Sequence, residues 1–186
     1  MIKETFLEIS NNFKSLAQDS SKVIEEASQI MINSIENGGK IIFCGNGGSA
    51  ADSQHLAAEL IGRYRKNRDP LPAIALTTDS SIITAVANDF SFEDIFKRQI
   101  RVLGQKNDVL YAISTSGKSK NIIKAIHEAK SVNMKVIGVT GEKSHHMSGI
   151  CDILINVPSS RADRIQEMHI AVGQILCEII ENKFFN

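Results

Sequence analysis

Two side chains able to do acid/base or metal chemistry, His55 and Glu59, stand four residues apart at the end of the run Cys44-Gly45-Asn46-Gly47-Gly48-Ser49-Ala50-Ala51-Asp52-Ser53-Gln54-His55-Leu56-Ala57-Ala58-Glu59. On a helix that spacing sets them on one face. There an imidazole and a carboxylate can ligate a divalent metal or work as an acid/base pair. The same spacing is common on ordinary solvated helix faces, so the pair gains meaning from what precedes it. The glycines at 45, 47 and 48 remove Cβ atoms where the chain must bend sharply, and they let backbone N–H groups close on an anion. A helix opening near Ser49 adds its unpaired N-terminal donors and positive dipole end, which favour a phosphate or carboxylate.

A second polar turn, Ser114-Thr115-Ser116-Gly117-Lys118-Ser119, follows the apolar run ending at Ile113. The hydroxyls of Ser114, Thr115, Ser116 and Ser119, with free N–H groups at a helix start, make a neutral phosphate cradle. A cluster of N-cap residues that merely starts the helix would read the same way. The full P-loop pattern is absent, so nucleotide hydrolysis is not expected, and a sugar phosphate fits better. Asn88-Asp89 could bond sugar hydroxyls or be plain turn chemistry, and Asp79 reads as a helix cap. Gln166 and His169 share a face of a closing helix, with Gln174 two turns beyond Gln166. His127, His145 and His146 have no partner at ligand spacing and read as surface residues.

These residues need elements to position them. Apolar positions recur at helical spacing from about 3 to 37 (Phe6, Ile9, Phe13, Leu16, then Val23, Ile24, Ala27, Ile30, Met31, Ile35), which predicts two helices ending at Gly38-Gly39. Beyond them, short β-rich runs alternate with helical segments, the pattern of a layered α/β fold on a mostly parallel sheet. The expected strands are 40–44, 73–76, 108–113, 135–139 and 152–156, and the expected helices 50–64, 80–87, 92–103, 119–132, 144–149 and 162–183. In such sheets ligands gather beyond the carboxyl ends of the strands, where the loops 45–49, 77–79, 114–118 and 140–143 should lie.

The chain has 186 residues, enough for one well-buried domain. Its 21 basic residues balance 21 acidic ones, so no net field draws it to nucleic acid or a membrane surface. Cys44, Cys151 and Cys177 are widely spaced within apolar runs and read as small hydrophobic fillers. With no secretory start and no apolar run of membrane-spanning length, a cytoplasmic location is expected.

Four separated segments, CGNGGSAADSQHLAAEL, ALTTDSSIITAVANDF, ISTSGKSKNIIKAI and ADRIQEMHI, together resemble the sugar isomerase (SIS) superfamily and, within it, the phosphoheptose isomerase family. The resemblance covers nearly the whole chain. It implies a three-layer αβα sandwich around a five-stranded parallel sheet, one SIS domain over 1–186. The N-terminal helices (1–38) would pack in a homotetramer, and 39–186 would form the core and C-terminal helix, with active sites between subunits. It also implies one Zn2+ per subunit, held by His55, Glu59 and Gln166. The family's fourth ligand is a histidine, and here that position is Gln174, which could offer its carbonyl oxygen but cannot exchange a proton near neutral pH. His169 matches a different family position and is not promoted to catalyst.

The activity so implied converts D-sedoheptulose 7-phosphate to D-glycero-D-manno-heptose 7-phosphate through an enediolate, for lipopolysaccharide or capsule heptose. Glu59 would be the base. Ser114, Thr115, Ser116 and Ser119 would anchor the phosphate, and Asn46, Gly47, Gly48, Asn88, Asp89 and Gln166 would position the sugar. The alternative is a non-catalytic SIS regulator similar to the DnaA initiator-associating protein, which would bind that initiator. Gln174 counts toward it and the carboxylate at Glu59 against it.

Overall fold

The computed structural model describes residues 1–143 and 146–185. Its elements run α1 (Ile2–Glu36), β1 (Ile41–Cys44), α2 (Gly48–Ile61), β2 (Ala73–Ala75), α3 (Ser80–Asp89), a 3-10 turn at Phe92–Asp94, and α4 (Ile95–Leu103). There follow β3 (Val109–Ile113), α5 (Lys120–Ser131), β4 (Lys135–Thr140), β5 (Ile153–Asn156) and α6 (Ala162–Phe184). The five strands form one sheet in the order β2-β1-β3-β4-β5, with every neighbouring pair parallel.

Both faces of that sheet are covered, because side chains alternate along each strand. Ile41 and Phe43 of β1, Val109, Tyr111 and Ile113 of β3, and Ile137 and Val139 of β4 pack into one core with α1, α2 and α6. Their neighbours Ile42, Cys44, Leu110, Ala112 and Val136 point the other way, into a second core with α3, α4 and α5. The result is the expected three-layer sandwich. All three cysteines are free, with Cys44 and Cys177 buried as fillers and Cys151 half-buried. Among the described residues no helix is long and apolar enough to cross a membrane.

Two expectations are corrected. The N-terminal region forms one unbroken helix of 35 residues instead of two. Its middle, Ala17-Gln18-Asp19-Ser20-Ser21-Lys22, contains neither Gly nor Pro, and Ser21 Oγ donates back to the carbonyl of Ala17 at 2.6 Å without interrupting the helix. No helix covers the described part of 144–149: His146 to Ile150 form turns around Gly149, whose φ is +77°, and residues 144 and 145 lie outside the described residues.

Candidate active site

In a sheet of order 2-1-3-4-5 the chain leaves β1 toward one edge and later starts β3 on its other side, opening a crevice between the loops that follow these two strands. The glycine turn follows β1 and the serine turn follows β3, so both motifs meet at this switch point. A side-chain pair joins them. Asn46 Nδ2 donates to Asn121 Oδ1 at 2.9 Å, and Asn121 Nδ2 returns a bond to Asn46 Oδ1 at 2.8 Å. Asn121, buried in the first turn of α5, had no signal in the sequence beyond a polar residue after a helix cap.

The glycine turn is tight for identifiable reasons. A Cβ on Gly45 would lie 2.4 Å from the carbonyl oxygen of Ser49, and Gly47 has φ +56°. A Cβ on Gly48 would lie 2.8 Å from the side-chain amide of Gln166. Gln166, from α6, therefore packs directly on the start of α2, where the helix presents its free N–H groups. The serine turn has its own left-handed glycine, Gly117 at φ +64°. Ser114 Oγ donates to Ser119 Oγ at 3.2 Å, and Lys118 N–H donates to Ser116 Oγ at 3.2 Å. Ser119 is the N-cap of α5 but makes no side-chain capping bond, so this hydroxyl is not spent on starting the helix. Asp79, by contrast, caps α3 as expected, accepting from Ile82 N–H at 2.8 Å.

On α2, His55 Nε2 lies 2.9 Å from Glu59 Oε1, with the two side chains 49% and 20% exposed. Gln174 of α6 reaches the same ring nitrogen, its Nε2 at 3.3 Å. That approach depends on Gly173, where a Cβ would strike Leu56 Cδ1 at 2.4 Å, so the missing side chain lets α6 close on α2. One imidazole nitrogen carries either one proton or one lone pair, yet here it faces both a carboxylate oxygen and a carboxamide. A cation among them would satisfy all three, with the Gln174 amide turned to present oxygen. His55, Glu59 and Gln174 thus fit a divalent metal, though with one imidazole and one carboxylate as the strong donors. No group of three or more His, Cys, Asp or Glu suited to a metal occurs among the described residues.

Asp52, whose type and spacing give no sign of a role, lies one turn before His55. Burial pushes its carboxyl up to about 6, with His55 opposing. His169 is only 1% exposed, and burial pushes its imidazole down to about 4, the Thr140 backbone opposing in part. It is a neutral core residue. His127 and His146 are exposed, as expected, and His145 lies outside the described residues. Asn88 and Asp89 stand exposed on the last turn of α3, bonded to each other at 2.8 Å, and among the described residues no hydrogen bond or ion pair links their side chains to the two loops.

The fold and this crevice define a class. The SIS domain family model matches residues 6–141. At the sequence level the chain is 52% identical over 164 residues to a phosphoheptose isomerase of Rhodospirillum rubrum, covering 88% of this chain and 87% of that one. It is 49% identical over 183 residues to a phosphoheptose isomerase of a Nitratiruptor species, covering 98% of each. A solved phosphoheptose isomerase from Neisseria gonorrhoeae superposes with a TM-score of 0.92 at 40% identity, covering 97% of both chains. One from Francisella tularensis gives 0.93 at 39%, covering 97% and 96%. The chain belongs to the SIS domain family and, within it, to the phosphoheptose isomerases.

Proposed function

We propose that this isomerase converts D-sedoheptulose 7-phosphate to D-glycero-D-manno-heptose 7-phosphate, supplying heptose for a lipopolysaccharide or capsule. The observation that carries the reading is the convergence of Gln174 with His55 and Glu59 on a helix that opens from one of two anion-suited turns, the turns themselves tied together by Asn46 and Asn121. The relatives at about half identity are isomerases, and the DnaA-binding alternative gains nothing from them.

In this reading the hydroxyls of Ser114, Thr115, Ser116 and Ser119 and the N–H groups opening α5 hold the phosphate. Asn46, Gly47, Gly48 and Gln166 orient the sugar, and Asn88 and Asp89 approach it from the exposed end of α3. Glu59 removes a proton from C1 of the ketose, and the electron pair forms the C1–C2 double bond of an enediolate. The same proton returns to C2 as the hydroxyl hydrogen passes from O1 to O2, so the reaction is balanced with no redox partner. Gln174 cannot exchange a proton, so the transfer between C1 and C2 is assigned to Glu59. A zinc ion, held by His55, Glu59 and Gln166 with Gln174 as fourth donor, would polarise the sugar carbonyl when bound.

We further propose a homotetramer with active sites between subunits. The support is α1, whose first buried residue is Leu16. Beside it an apolar groove of about 520 Å³ runs between α1 and α6, lined by Phe13, Leu16, Ile24, Ile32, Ile175 and Ile179. The deciding experiment is heptose 7-phosphate formation by the purified protein with added zinc. Glu59→Gln should lower turnover by about 10²–10⁴-fold, the usual weight of a positioned base, and wild-type turnover in that variant would remove Glu59 from its role.

A further inference from the structure

The last turn of α2, which carries Glu59, ends at Ile61 and leaves carbonyl groups without helical partners. Arg68, whose side chain is 1% exposed, supplies them. Its Nη2 donates to the carbonyl of Glu59 at 2.8 Å, and its Nη1 donates to those of Leu60 and Asp69, both at 2.9 Å. The remaining edge of the guanidinium, Nε, donates to Glu181 Oε1 of α6 at 2.8 Å. Glu181, 2% exposed, is itself saturated. Its Oε1 also accepts from Tyr64 N–H at 3.1 Å, and its Oε2 accepts from the N–H groups of Arg65 at 2.9 Å and Lys66 at 3.0 Å. The Phe185 ring closes the face of the guanidinium, 5.4 Å from Cζ to the ring centroid.

This is an elaborate fixture for a segment, 62–69, that has no regular structure of its own. Two buried ions are expensive to keep dry, and here every strong contact except the one to the neighbouring Asp69 carbonyl falls on the backbone leaving Glu59 or on the helix that carries Gln166 and Gln174. We propose that Arg68 and Glu181 are positioning residues of the isomerisation: they lock the final turn of α2 to α6 and so hold the Glu59 carboxylate at the distance proton transfer needs. The inference rests on the reading of Glu59 as the base. The phosphate contacts, across the switch point in the loop after β3, lie outside this clamp.

The test is Arg68→Lys. A lysine keeps the positive charge opposite Glu181, but its single ammonium cannot also hold the carbonyls of Glu59 and Leu60. Turnover should fall by about tenfold or more while KM stays within about twofold, since orientation of the base is lost and substrate anchoring is not. Backbone amide exchange over 58–66 should quicken at the same time. Ile100→Val, in the core on the other side of the sheet, is the stability control and should lose melting temperature without losing turnover. Should Arg68→Lys not fold, Glu181→Gln keeps the shape, weakens the same clamp and carries the same expectation. Wild-type turnover in a folded clamp variant, or a loss confined to KM, overturns the inference. So does unchanged exchange over 58–66, which is read without substrate. A wild-type protein that fails to isomerise while its clamp variants still quicken exchange would overturn the proposed activity and leave the clamp standing.

Discussion

Gln166 and Gly48 define how closely single residues are matched in this crevice. The amide of Gln166 fills the space a Cβ would take, so the third glycine of the turn is a packing requirement of α6 as well as a bend. His169, three residues on, shows the opposite use of a polar side chain on the same helix. Its imidazole titrates near 6.5 when unfolded and near 4 when folded. Between those values the unfolded chain takes up a proton that the native state refuses, so stability falls as pH drops from about 6.5 toward 4. The loss amounts to at most about 3 kcal/mol for one site. His169→Leu should flatten that part of the profile. Urea titrations of both proteins at pH 7 and pH 4.5 measure it, and an unchanged slope would mean another group sets it.

Among the elements, α2 and α6 matter most, because together they carry His55, Glu59, Gln166 and Gln174. Their approach is set by Gly173 against Leu56, a side chain only 1% exposed. Gly173→Ala should push the helices apart, costing about 1–3 kcal/mol by overpacking. It should also lengthen the 3.3 Å contact between Gln174 and His55. A melting curve with kcat/KM for the variant decides this, and wild-type values for both would show that the interface relaxes elsewhere. Elements of this kind were largely legible in the sequence: all five strands lie within two residues of their expected limits, because buried parallel strands read as short apolar runs between turn signals. The continuity of α1 was not legible, since the apolar spacing lapses between Leu16 and Val23, and the serine hydroxyls there show their bonds within the helix and to Asn156 only once the chain is folded. The pairing of His55 with Glu59 and the helix cap at Asp79 were readable from their types and spacing. Asn121, Arg68, Glu181 and Gly173 were not, because each acts through a partner distant in sequence, and one-dimensional periodicity carries no information about such contacts.

For the whole molecule, the proposed subunit contacts would fall on the exposed apolar face of α1. A helix of 35 residues spans about 52 Å. Its first four turns carry Phe6 and Leu7, 67% and 54% exposed, with no core of their own. Ile175, 45% exposed, lies on the α6 side of the α1–α6 groove that begins further along at Phe13. A charge there would be stranded in apolar surroundings, so Ile175→Asp should shift the sedimentation coefficient toward the monomer at micromolar concentration. A variant that sediments like wild type would remove this groove as a subunit contact and with it the support for the proposed tetramer.

The pairing of α1 with α6 also joins the earliest helix to the latest one. On the ribosome, α1 emerges before any strand exists, and its proper neighbour is not finished until residue 184 has been added. Until then the face of α1 that packs on α6 lacks its native partner and only the strands can cover the helix, so the last contacts of this core close over nearly the full length of the chain, a separation that slows the final step of folding.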